Sequence, residues 1–300
     1  MYSQIDSNKR KTWVLISLVS AFIVFLFYIF ALVYDIDPGA TVITGTMIAT
    51  VYALFAYYLS DKAALMSAGA KEIQKKDAPD VWRLTENLCI ASGLPMPKVY
   101  IINDRVPNAF ATGRDPEHAS IALTTGLLKI LNKQELEGVI AHELSHIKNF
   151  DIRIMTITVV LVGLIILIAD IFLRIGLHSG GGNKKSGQAG LILLVIGIIL
   201  AILSPLIAQV IKLAVSRTRE YLADASGALM TRYPEGLASA LEKLGQHSGK
   251  MQRANHASAH LYISNPFGEK KQQKQSFFSK LFSTHPPIEE RIQKLRNISA

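Results

Sequence analysis

The chain has 300 residues, half of them hydrophobic and 18% charged, with a mean hydropathy of +0.28, which excludes a disordered or collagen-like protein. One cysteine, Cys89, leaves no internal disulfide framework and no cysteine-built zinc or iron–sulfur site; it reads as a small buried apolar residue. The net charge of +9 comes from Lys and Arg spread along two polar segments without an RNA or DNA motif, so nucleic acid is not the expected partner.

The apolar residues are massed in blocks of about twenty, the length a helix needs to cross a hydrocarbon core of about 30 Å. The first block, 13–34, is uncharged and carries an aromatic at each end, as at a headgroup layer. It is too long for a signal-peptide core and reads as an uncleaved anchor. A tight turn over 35–39 leads to a second span, 40–60. After the polar segment 61–153 comes a weaker span, 154–175, in which Asp170 and Arg174 are spaced to pair on one helical face. A glycine-rich loop over 176–188 precedes the fourth span, 189–211, which Pro205 is expected to kink.

Charge sets the orientation. Lys9, Arg10, Lys11, Lys62, Lys71, Lys75, Lys76, Lys148, Arg153, Lys212, Arg217 and Arg219 flank one side of the spans, and Lys184 and Lys185 the other. Twelve against two places both termini and both polar segments in the cytoplasm. The expected architecture is an α-helical membrane protein with four transmembrane helices and a cytoplasmic α+β catalytic domain. Its membrane hairpins, 1–60 and 154–211, alternate with two catalytic parts, 61–153 and 212–300.

In the first polar segment, apolar residues at 81, 84 and 88 predict a helix over 81–91 that stops at Gly93 and Pro95. Residues 98–102 and 119–123 read as strands, and 108–113 as strand or loop. A helix is expected to start at Asn132, with Glu135 completing a capping box. That helix carries His142-Glu143-Leu144-Ser145-His146. Four-residue spacing sets both imidazoles one turn apart on one face, where they can share a Zn²⁺, and Glu143 is placed to take a proton from water activated there. A catalytic zinc needs a third protein ligand and an open position. Beyond the fourth span, Glu220 and Asp224 again lie four apart in a helical pattern. One carboxylate can bind metal while the other orients a ligating histidine.

The motif His142-Glu-x-x-His146, followed by Glu220-x-x-x-Asp224 with two hydrophobic spans before the first motif and two between them, resembles the HtpX-type membrane metalloproteases. These are relatives of the CAAX prenyl proteases and belong with the gluzincins. The resemblance covers nearly the whole chain. It implies a zincin-like catalytic domain in which His142, His146 and Glu220 hold one zinc, Glu143 is the base and Asp224 supports a ligand. It further implies that Asn108, Ala109 and Phe110 lie beside the cleft, where an edge strand can pair with substrate backbone. Quality control at a bacterial inner membrane follows, with unfolded or damaged membrane proteins as substrates. His285, in Thr284-His285-Pro286-Pro287, and Arg291 match a His-Pro motif of the family; His285 either stabilises a developing oxyanion or supports the fold.

His256 and His260 form a second four-spaced pair without a Glu between them and read as solvated or structural. The Lys- and Gln-rich stretch 270–280 reads as a solvated loop. His146 lies eight residues before the third span and Glu220 nine after the fourth. At 1.5 Å per helical residue the zinc is expected about 12–14 Å beyond the span ends, within reach of membrane-protein loops. A transporter with structural zinc and a zinc-dependent holdase are the competing readings. Sparse polar groups in the spans oppose the first, and the Glu between the two histidines opposes the second. Whether the substrate is a prenylated peptide is a matter the residues leave open.

Overall fold

The structure is a computed structural model that describes residues 2–178, 190–201, 217–247, 249–254, 258–268 and 286–298. The chain forms two compact units. One comprises Met1–Lys9, Asp61–Thr156 and Lys212–Ala300; the other comprises Arg10–Ser60 and Ile157–Ile211.

In the second unit, α1, whose full range is Tyr2–Tyr34, begins well before the predicted start of its span. The turn ahead of α2 (Pro38–Tyr58) has the expected chemistry. Asp35 takes a left-handed φ of 57°, the Ala40 N–H donates to Asp37 Oδ2 at 2.7 Å, and Pro38 opens the helix. Trp13 stacks on Tyr57 at 5.5 Å, and a Cβ on Gly45 would stand 2.7 Å from Phe27 Cβ, so α1 and α2 pack closely. In α7 (Asp151–His178), Arg174 Nε donates to Asp170 Oδ2 at 2.7 Å, the anticipated pair. Among the described residues, three helical stretches are long and apolar enough to cross a membrane: Ile5–Tyr34, Pro38–Tyr58 and Asp151–His178. A shorter apolar helix, α8, covers Gly190–Ala201. The rest of the fourth predicted span, including Pro205, lies outside the described residues, as does most of the preceding loop.

The first unit is an α+β layer. After α3 (Ser60–Ala68), strands β1 (Ala70–Glu72), β2 (Lys98–Ile102), β3 (Ala109–Gly113) and β4 (Ala119–Thr124) pair in the order β1-β2-β4-β3. β2 and β4 run parallel, while β1 and β3 are antiparallel to their neighbours. The segment left open between strand and loop is therefore strand, at the sheet edge. Between β1 and β2, α4 (Pro79–Ser92) ends on Gly93 in the left-handed conformation that a glycine there permits.

A short α5 (Thr125–Ile130) leads to α6 (Lys133–Lys148), whose capping box is complete: the Glu135 N–H donates to Asn132 Oδ1 at 2.9 Å and the Asn132 N–H to Glu135 Oε2 at 2.8 Å. Helices α9 (Arg217–Thr231), α10 (Pro234–Gln246) and α11 (Ile288–Ile298) complete the unit. The core joins one face of the sheet to α4, α6 and α10, with Ile121, Leu123, Ile140, Leu144 and Leu241 fully buried. Cys89 is a buried member of it.

Two glycines bring backbone against α6. A Cβ on Gly138 would meet the Leu237 nitrogen at 2.6 Å, and one on Gly227 would meet the His142 nitrogen at 3.0 Å. α10 and α9 thus press directly on the helix that carries the two motif histidines, and the second of these contacts fixes Glu220 and Asp224 opposite His142.

Candidate metal centre

His142 and His146 project from one face of α6, as their spacing requires, with Nε2 atoms 3.2 Å apart and ring planes at 89°. From the first turn of α9, Glu220 closes the group: Oε2 lies 3.9 Å from His142 Nε2 and Oε1 lies 3.5 Å from His146 Nε2. One donor atom from each of the three falls within 4.8 Å of the others, and all three residues are buried. Two imidazole nitrogens and a carboxylate oxygen form the donor set of a catalytic zinc. Nitrogens bound tetrahedrally to one zinc would stand about 3.3 Å apart, close to the separation observed here. The residues therefore fit a metal ion.

Behind each imidazole stands a carboxylate. His142 Nδ1 lies 3.0 Å from Asp224 Oδ1, and His146 Nδ1 hydrogen-bonds Asp151 Oδ2 at 3.0 Å. Such partners fix the tautomer and aim the other ring nitrogen. Asp224 is in turn gripped by Arg291, whose Nε donates to Oδ2 at 2.9 Å and Nη2 to Oδ1 at 2.7 Å. Arg291 is 0% exposed and also places Nη1 3.6 Å from Glu220 Oε2. Burial works to raise the Asp224 carboxyl, but Arg291 and His142 overcome it and hold it at about 2. Burial lowers His142. It acts the same way on His146, where the bond to Asp151 and the charges of Glu220 and Asp151 prevail and raise the ring to about 9. Glu143 is buried beside the set; desolvation pushes its carboxyl up to about 7 against the opposing pull of His146 and a hydrogen bond from the Ala111 backbone.

Ala111 belongs to β3. The Thr124 N–H donates to Asn108 O at 3.0 Å across the β4 side, so alternation turns the backbone groups of Ala109, Ala111 and Gly113 to the outer edge. That edge is occupied by the chain itself. The Ile263 N–H donates to Ala109 O at 2.9 Å, and Tyr262 packs edge-on against Phe110 at 5.0 Å. Asn108 clasps Ser264 on both sides: Nδ2 donates to Ser264 O at 3.0 Å and the Ser264 N–H to Oδ1 at 3.2 Å. The Arg291 Nη1 donates to Ile263 O at 3.4 Å, tying the same stretch to the metal set.

Of the residues singled out in the sequence, His142, Glu143, His146, Glu220, Asp224 and Arg291 converge, and Asn108, Ala109 and Phe110 lie on the adjoining strand. His285 and the stretch 270–280 lie outside the described residues, as does His256. His260 is buried, with Nε2 bonded to Met155 O at 2.9 Å, a structural role. Sequence reasoning missed Asp151. Its one signal is an acid five residues after the second motif histidine, at the start of α7; a left-handed Phe150, φ 58°, breaks the chain between α6 and α7 there and lets Asp151 return to His146.

Residues 75–299 match the sequence profile of peptidase family M48. A protease HtpX homolog from Caldanaerobacter subterraneus subsp. tengcongensis is 46% identical over 303 residues, covering 100% of this chain and 98% of its own. One from Dictyoglomus turgidum is 46% identical over 98% of this chain and 94% of its own, and one from Streptococcus gordonii is 40% identical over 99% and 100%. Among solved structures, S. mikatae Ste24p superposes with a TM-score of 0.51 at 21% identity, over 98% of this chain and 67% of that one, a likeness of fold.

Proposed function

The chain belongs to peptidase family M48 and is a membrane metalloprotease of the HtpX type, and from that premise we propose a zinc endopeptidase that cuts unfolded or damaged membrane proteins at the cytoplasmic face. The observation that carries this reading is the buried group of His142, His146 and Glu220, each imidazole backed by its own carboxylate. These three would hold one zinc per chain; when bound, the ion supplies a Lewis acid that makes water nucleophilic near neutral pH and polarises the scissile carbonyl. Glu143 accepts the proton of the attacking water and delivers it to the leaving amine. Asp224 and Asp151 keep the rings aimed, and Arg291 holds Asp224. His285 is proposed either to stabilise the developing oxyanion or to support the fold.

Segments 13–34, 40–60, 154–175 and 189–211 are proposed to cross the bacterial cytoplasmic membrane. Both termini and the polar parts 61–153 and 212–300 then lie inside, on the twelve-to-two bias of flanking Lys and Arg.

Full-length protein in detergent should carry about one zinc per chain, lose casein cleavage on chelation and regain it with zinc. Cleavage that survives complete metal removal sinks the assignment.

The outer edge of β3, at Asn108, Ala109 and Phe110, is proposed to take up the substrate backbone as an added strand. Ile263 and Ser264 hold the Asn108–Ala109 end of that edge, so substrate has to displace them there. Asn108→Ala removes both bonds to Ser264. At about 1 kcal/mol for each net hydrogen bond, losing two is expected to lower KM about thirty-fold with kcat unchanged. A raised KM would instead place the Asn108 side chain on the substrate.

A further inference from the structure

Asn8 lies near the start of α1, ahead of the first apolar block, in the unit that carries the metal centre. It is 3% exposed, and both ends of its amide are engaged. Nδ2 donates to Asp151 Oδ1 at 2.8 Å and to Asn149 O at 3.1 Å, while Oδ1 accepts from Arg219 Nη1 at 3.1 Å. The same Arg219 nitrogen reaches Asp151 Oδ1 at 3.4 Å. Asp151 therefore has one oxygen held by an amide and a guanidinium, while its other oxygen bonds His146 Nδ1. Arg219 immediately precedes Glu220, so the cluster that holds the partner of His146 is joined through the α9 backbone to a second proposed ligand.

We propose that Asn8 is a positioning residue of the metal site. With Arg219 it fixes the carboxylate of Asp151, and Asp151 fixes the ring of His146. The side-chain chemistry is specific to the task. Asn supplies a donor to the carboxylate and an acceptor to the guanidinium at once, which neither a carboxylate nor an aliphatic side chain does. An aspartate there would set a second negative charge about 3 Å from Asp151 and remove the donor. The buried carboxylate would then swing to other partners or lose one, and the imidazole would follow it. The proposal rests on the reading of His146 as a metal ligand.

The test uses the full-length chain in detergent, with zinc affinity read by competition against a chromophoric chelator and ligand geometry by the visible spectrum of the cobalt(II)-substituted protein. Asn8→Ala and the nearly isosteric Asn8→Asp are each expected to weaken zinc about ten-fold, shift the cobalt bands and lower kcat with KM unchanged. In an Asp151→Asn background, Asn8→Ala should add nothing to the loss of affinity, because the two residues act in one chain. A helix anchor without a positioning role predicts the opposite: a lowered unfolding temperature of the metal-free protein, with wild-type zinc affinity and an unchanged cobalt spectrum. That result overturns the proposal. His146→Ala is the control. If it loses zinc while both Asn8 variants bind as wild type does, the positioning role alone fails. If it retains zinc as tightly as wild type, the ligand assignment fails and the proposal falls with it.

Discussion

Glu143→Gln is expected to leave zinc bound and to lower cleavage about 10²–10⁴-fold, the usual contribution of a positioned general base. Gln keeps the shape of a side chain packed among His146, Glu220 and the Ala111 backbone, but has no oxygen that can take a proton from water and pass it on. The variant should also be the more stable protein when free of metal. Burial disfavours the charged carboxylate and is what lifts Glu143 to about 7, so folding the charged form costs free energy that a neutral amide avoids. Activity and stability therefore move in opposite directions at this position. Metal content, casein cleavage and thermal unfolding on one preparation check all three expectations. Wild-type cleavage by the Gln variant would remove Glu143 from the role of base.

Arg291→Leu should be the most damaging single change outside the metal ligands. Arg291 makes two bonds to Asp224, stands near Glu220 and bonds the Ile263 carbonyl, all without solvent exposure. Leucine fills part of the volume and leaves two buried carboxylates uncompensated, a loss of about 3–5 kcal/mol. For a unit of this size that is a fall of roughly 10 °C in unfolding temperature. Zinc affinity should fall as well, because Asp224 would no longer be held against His142. Adding Asp224→Asn to Arg291→Leu should recover part of the stability but not the affinity, since the amide relieves the charge without restoring the orientation. An unfolding temperature within a degree of wild type would show that the guanidinium does not neutralise this cluster.

Local physics explains which parts were legible from the sequence. The Asn132–Glu135 capping box, the glycine stop after α4, the Asp170–Arg174 pair and the four-residue spacing of His142 and His146 depend on neighbours within one or two turns, and each appears where the spacing placed it. The strand at 109–113 stayed ambiguous because it is buried throughout, without alternation, and three of its five residues are Ala or Gly, which are weak strand formers. Helix α10 carries an apolar face but no chemistry that draws attention to it, and α11 is marked in the sequence by Arg291 alone. The occupied sheet edge and the Asn8–Asp151 bond join residues more than 140 positions apart, and nothing in local pattern encodes such a pairing. A left-handed phenylalanine, at a cost of about 1 kcal/mol, is no sequence signal either, yet Phe150 is what turns Asp151 back to its histidine.

The guanidinium behind Asp224 is also the last of the converging side chains to be synthesised. Until the ribosome has delivered α11, a nascent chain holds the motif helix and both acids of α9 without the cation that reconciles them. A chain that ends before α11 therefore lacks the charge that holds Asp224 against His142.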